Sequence, residues 1–152
     1  MAKKNDSKDE LLLAQWQTCV EMANSISQRR DTMNNIFVTL NLAIMAAVSL
    51  VWDIKSVLIL VAGIVVCVLW LLFIRNYKQL NSVKFGVINR IEEELPAQPF
   101  CDEWETLKSN KKYMDGTKLE KWLPVMFIAM YIITTIIIIV IKLRAGGTHN
   151  DV

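Results

Sequence analysis

The run Leu123-Pro-Val-Met-Phe-Ile-Ala-Met-Tyr-Ile-Ile-Thr-Thr-Ile-Ile-Ile-Ile-Val-Ile141 holds no charged residue and stops at Lys142 and Arg144. Its length as a helix matches the apolar core of a bilayer, about 30 Å thick and crossed by about 20 residues. In water so many isoleucines read as a buried strand, because β-branched side chains favour sheets. A strand of that length, without alternation and without partner strands, has nothing to pair with. In lipid the helix wins, because it satisfies every backbone N–H and C=O within one segment. Pro124 falls in the first turn, where a missing N–H costs little.

Two further spans lie upstream. Residues 56–74 are apolar and closed by Arg75. Roughly a dozen strongly apolar side chains there, at about −0.3 to −0.6 kcal/mol each, favour insertion by several kcal/mol. Residues 36–52 are weaker and carry Thr39, Asn41 and Ser49. Only Asp53-Ile54-Lys55 separates these two segments, so they form a tight antiparallel hairpin in which the stronger span carries the weaker one. The fold class is therefore an all-α integral membrane protein with three transmembrane helices and a small cytoplasmic helical lobe. Lys and Arg set its direction. Fourteen lie before the first span or between the second and third, against Lys55, Lys142 and Arg144 on the other side. That bias predicts a cytoplasmic N-terminus and an outside C-terminus. Trp52, Trp70 and Trp122 fall near span ends and read as interfacial anchors.

The remaining residues predict helices too. Residues 1–8 read as a disordered start, too polar and too short in apolar run to be a secretory signal. Residues 9–35 lack Gly and Pro, and Leu12, Trp16, Cys19, Ala23 and Ile26 keep the spacing of a packing seam. Nothing breaks this helix before the membrane, so it continues to about Trp52. Residues 76–121 form a helical hairpin. Leu80, Val83, Val87, Ile88, Ile91 and Leu95 give the first arm an apolar face, with Glu92 to Glu94 on the solvated side. Pro96 and Pro99 separate the arms, and Phe100, Trp104 and Leu107 make the apolar side of the second. Asp115-Gly116-Thr117 reads as a turn, with Thr117 and Glu120 at capping-box spacing before span 123–141. Residues 142–152 form an extracytoplasmic tail. The lobe is too small to cover its own apolar faces and needs the N-terminal helix, a neighbouring subunit, or both.

Several chemistries are excluded or disfavoured. A net charge of +2 gives no footprint for nucleic acid. Cys19, Cys67 and Cys101 form no CxxC pair, and the single histidine, His149, lies in the polar tail, so neither a disulfide framework, a metal site nor a bound cofactor is expected. The chain has no GxSxG, HExxH, P-loop or dinucleotide fingerprint, and Cys101 has no histidine at hand. The expectation is a non-enzymatic protein. The basic residues between Lys108 and Lys121 can touch lipid headgroups.

At 100° per residue, Ser27, Arg30, Asn34, Asn41 and Met45 extend the seam of the first helix within about 40° of one line. Polar groups inside a span face a bundle interior or water. Two readings stay open for Arg30, Asn34 and Asn41. They are interhelical hydrogen-bond glue, or they line a central pore when copies assemble. Ala43, Ala46 and Ala47 offer a small face for close approach in either case.

The segments Gln15-Trp-Gln-Thr-Cys-Val-Glu-Met-Ala, Ile26-Ser-Gln-Arg-Arg and Asn34-Asn-Ile-Phe, with Tyr77-Lys-Gln-Leu-Asn-Ser-Val-Lys-Phe-Gly-Val-Ile-Asn-Arg-Ile-Glu, Leu95-Pro, Pro99-Phe and Glu103-Trp-Glu, resemble the RipA-type family of small bacterial octameric membrane proteins. The resemblance runs from about Leu12 to Ile141. It implies a multi-pass protein of the bacterial cytoplasmic (inner) membrane that assembles as an octameric homo-oligomer ring. Arg29, Arg30, Asn34, Asn81, Lys84, Phe85 and Trp104 match the pattern, and Asn81, Lys84, Phe85 and Trp104 then read as a lobe interface. The functional expectation is a ring acting as a gated pore or scaffold, suited to stress response or phage defence. The alternative is a membrane-tethered regulatory adaptor whose lobe binds a cytoplasmic protein. Its partners would be its own copies, membrane lipid and that soluble protein.

Overall fold

The computed structural model describes residues 2–50, 53–110 and 116–147, and it is helical, with no strand among them. Four helices follow in order: α1 (Ala2–Leu50), α2 (Ser56–Glu92), α3 (Pro99–Ser109) and α4 (Gly116–Gly147). Stretches of α1, α2 and α4 are each long and apolar enough to cross a membrane. The chain is thus a multi-pass membrane protein. The expected turn at Asp115, the anchor Trp52 and the tail with His149 lie wholly or partly outside the described residues.

The helices run further than the apolar segments do. α1 starts at Ala2, so the leading residues are helical from there rather than irregular. No Gly or Pro interrupts 2–8, and lengthening an existing helix costs far less than nucleating one. α2 likewise continues past Arg75 to Glu92. It closes in a tightened turn, where Glu94 N–H donates to the Ile91 carbonyl (3.1 Å) and Leu95 N–H to that of Glu92 (2.9 Å). Pro96 follows, and Pro99 opens α3, where its lack of an N–H is harmless.

Two compact units divide the chain: Met1–Asp31 with Arg75–Asp115, and Thr32–Ile74 with Gly116–Val152. The first holds the expected helical lobe, and its N-terminal helix packs there with the 76–110 segment. Ala23 and Ile88 are buried in it, and Trp16 and Phe85 close on Phe100 with ring centroids 5.8 and 5.7 Å apart. The buried line of α2 is rotated from the one its apolar pattern suggests. Ile88 is buried, whereas Leu80 and Val83 are 43% and 67% exposed. No residue of α3 is buried.

The second unit is a bundle of three spans. Val48, Leu60, Cys67, Tyr131 and Ile138 form one buried cluster, and Phe37, Trp70 and Ile74 another. Trp70 is not an interfacial anchor. It is buried, stacked on Phe37 (centroids 5.6 Å, planes 7° apart), because it lies on the bundle-facing line of α2 with Cys67 and Ile74 and gives its indole N–H to Asn34. Trp122, by contrast, is exposed. Lys142 closes on Asp53 at 2.8 Å, tying the end of α4 to the loop between α1 and α2.

Candidate functional site

Asn41 is fully buried on α1, four residues after Phe37 and seven before Val48, both of which face the bundle. A buried amide in lipid needs every partner it can reach. Its Nδ2 donates back to the Phe37 carbonyl (2.7 Å). Its Oδ1 accepts from the Tyr131 hydroxyl of α4 (2.7 Å) and from the Cys67 thiol of α2 (3.1 Å). One side chain therefore binds three helices. Gly63 is what admits Tyr131: a Cβ there would lie 2.7 Å from the Tyr131 Cζ.

About two turns earlier, Asn34 Oδ1 accepts from the Trp70 indole N–H at 2.8 Å. Both asparagines that the sequence places on the polar line are thus bonded to helices of their own chain. Arg30 is half-buried, belongs to the first unit, and has an interaction partner.

The lobe carries a second polar tie, which the sequence reading assigned to solvent. Glu92 is fully buried. Its carboxylate accepts from the Trp16 indole N–H (3.1 Å), the Phe100 N–H (3.3 Å) and the Cys101 N–H (3.2 Å). The last two are unpaired amides of the α3 N-terminus, where the helix dipole also favours negative charge. The signal was present in the spacing: Glu92 follows Ile88 by one turn and precedes the helix start at Pro99 by seven residues. The run of three glutamates hid it, since Glu93 and Glu94 are exposed.

The remaining lobe residues are dispersed. The Lys84 ammonium lies 3.9 Å from the Met22 sulfur. Phe85 meets Phe100 edge-on. Asn81 is half-buried, and its Oδ1 finds no hydrogen-bond partner. Trp104 is 48% exposed, with the Lys108 ammonium 5.4 Å above its ring. The Cys101 thiol is pushed above its ordinary pKa, first by burial and then by the nearby Glu92 carboxylate. A thiol held protonated is a poor nucleophile. No cluster of three metal-ligating side chains occurs among the described residues.

Three spans tied together by polar groups within one chain, with a helical lobe, define a small multi-pass membrane protein. The Octameric membrane protein family (8xMP) matches residues 13–141, and the chain belongs to that family. This bears out the likeness to small octameric membrane proteins drawn from the sequence. No curated protein and no solved structure matches it.

Proposed function

We propose that the octamer is a non-enzymatic scaffold of the bacterial cytoplasmic membrane, displaying its helical lobes to the cytoplasm. One observation carries this reading. Asn34 and Asn41, the polar groups that would line a pore, take partners inside their own chain. The Lys and Arg bias supports a cytoplasmic lobe. The lobe is held by Glu92 and leaves Leu80, Val83 and Trp104 exposed to a soluble protein partner. Eight copies multiply such a contact by raising local concentration. A cellular role in stress response or phage defence fits a scaffold that recruits an effector.

A second reading, a gated pore, draws on a different observation: α1 exposes Asn35, Thr39 and Ser49 along the membrane unit. Ion flux from liposomes holding the purified octamer separates the two. The scaffold predicts no flux, unchanged in Asn34→Leu and Asn41→Leu, together with a soluble protein retained by the wild type and lost from Leu80→Ser/Val83→Ser/Trp104→Ser. Flux through the wild type rejects it.

A further inference from the structure

The family assembles as octamers, so each copy must present surface to its neighbours, and the membrane unit has three outward helix faces from which to draw it. Two of them expose chiefly large apolar side chains within the spans. α2 exposes Leu58, Val61, Val65, Val68 and Leu72, and α4 exposes Met126, Ile132, Ile133, Ile136 and Val140. Such faces gain nothing by leaving lipid, whose tails are as apolar as they are; association in a bilayer rests on close packing of small residues and on polar groups.

The third face differs. Asn35, Thr39, Leu42, Ala46 and Ser49 follow one another at four, three, four and three residues, within about 40° of one line on α1. All five are exposed. Thr39 Oγ1 donates to the Asn35 carbonyl (2.9 Å) and Ser49 Oγ to that of Ala46 (2.7 Å). Both hydroxyls are thereby satisfied along their own helix, and Thr39, Ala46 and Ser49 leave a shallow strip interrupted by Leu42. Ala43 and Ala47 flank it. The Asn35 amide stands at the start of this face with four hydrogen-bonding positions to share. At residue 35, one before the 36–52 span, water and headgroups can reach the amide, and across a subunit contact it can bond to another chain instead.

We infer that this face of α1 is where a second copy of the chain docks, with Ala46 at the closest approach and Asn35 hydrogen-bonding across the contact. It lies well around the helix from Asn41, which holds the chain's own α2 and α4. One helix thus packs internally on one side and between subunits on the other.

The test uses the full chain in detergent and in lipid nanodiscs, read by native mass spectrometry. Ala46→Leu and Asn35→Leu should lose the octamer and leave smaller particles of unchanged helical content. Ile133→Leu on α4 should keep it. A nitroxide at Ala46→Cys, in a chain with Cys19, Cys67 and Cys101 changed to serine, should be immobile and shielded from both oxygen and a water-soluble nickel relaxant. Because the label reads the surroundings directly, it decides the matter even where a leucine variant misfolds. Octamers retained by both leucine variants, strong oxygen access (lipid) or strong nickel access (a water-filled lumen) each overturn the inference. A wild type that is not octameric would instead remove the assembly on which the scaffold reading stands, and shows itself before any variant is made.

Discussion

Replacing Glu92 with alanine should free α3 from the lobe while leaving the membrane unit intact. The carboxylate is fully buried and accepts three hydrogen bonds, at 3.1, 3.3 and 3.2 Å. Hydrogen bonds to a charged acceptor contribute about 1.5–3 kcal/mol each, but the three are not additive, because the two α3 amides can turn to water once the helix lifts. The Trp16 indole N–H has less freedom to do so. The net loss comes to about 3–5 kcal/mol, a large share of what a domain of this size has to spare. Hydrogen exchange over Pro99–Ser109 should then accelerate by roughly two to three and a half orders of magnitude, while α4 exchanges as before. Glu92→Gln keeps one acceptor oxygen and turns an NH₂ toward the remaining donors, so its effect should be about half as large in free energy. Trp16→Phe removes one bond and keeps the ring against Phe100, and should cost about 1 kcal/mol. Unchanged α3 exchange in Glu92→Ala would refute the reasoning outright, and a Gln variant indistinguishable from wild type would show that shape rather than charge holds the helix.

Three further outcomes follow from the same geometry. Gly63→Val places methyl groups inside the Tyr131 ring, so the membrane unit should lose about 1–3 kcal/mol from overpacking, measured as resistance to denaturing detergent; Tyr131→Phe in the same background should not restore it. Cys101, held above the ordinary thiol pKa by burial and by Glu92, should react slowly with iodoacetamide at pH 8 and faster in Glu92→Gln; a rate equal to free cysteine in the wild type would contradict this. The Asp53 carboxyl is held below the usual carboxylate range, first by its hydrogen bond from Lys142 and then by the Ile54 N–H. A lowered folded pKa means that its stabilisation is present above the unfolded value, near pH 4, and is lost as pH falls through the folded value. Thermal stability of Lys142→Met should therefore depend less on pH below about 4 than that of the wild type, and high salt should narrow the difference.

Helix positions were legible because hydropathy and the 3.6-residue period are local properties. Leu12, Trp16, Cys19, Ala23 and Ile26 gave the packing side of α1 in the lobe, and Ala23 is buried there. What a face meets is not local. The line through Asn34 and Asn41 pointed inward, but periodicity alone could not say whether α2 and α4 of the same chain or another copy stood opposite. Trp70 was misread for a related reason: its place near the end of the apolar run 56–74 was visible, but the inward face it shares with Cys67 and Ile74 was not. Glu92 shows the converse. A carboxylate looks solvated until a helix start comes round to meet it, and that meeting depends on the turn at 93–98.

The neighbouring pair Asn34 and Asn35 shows how such a chain chooses its partners. Adjacent residues on a helix point about 100° apart, so the two amides cannot serve the same neighbour. Asn34 is committed to Trp70 within the chain, and Asn35 is left facing outward. Large apolar surface cannot discriminate between lipid and protein inside a bilayer, so the information that selects one packing over another has to reside in the few polar and small positions. Here those positions fall into two sets on one helix, an inner set centred on Asn41 and an outer set running from Asn35 to Ser49. The order of assembly follows from the energetics of each. The inner amide has three partners from its own chain and is satisfied on folding of the monomer, whereas the outer set gains its packing only when another copy arrives. Monomer folding should therefore precede ring formation, and variants of the outer set should yield folded small particles rather than aggregates.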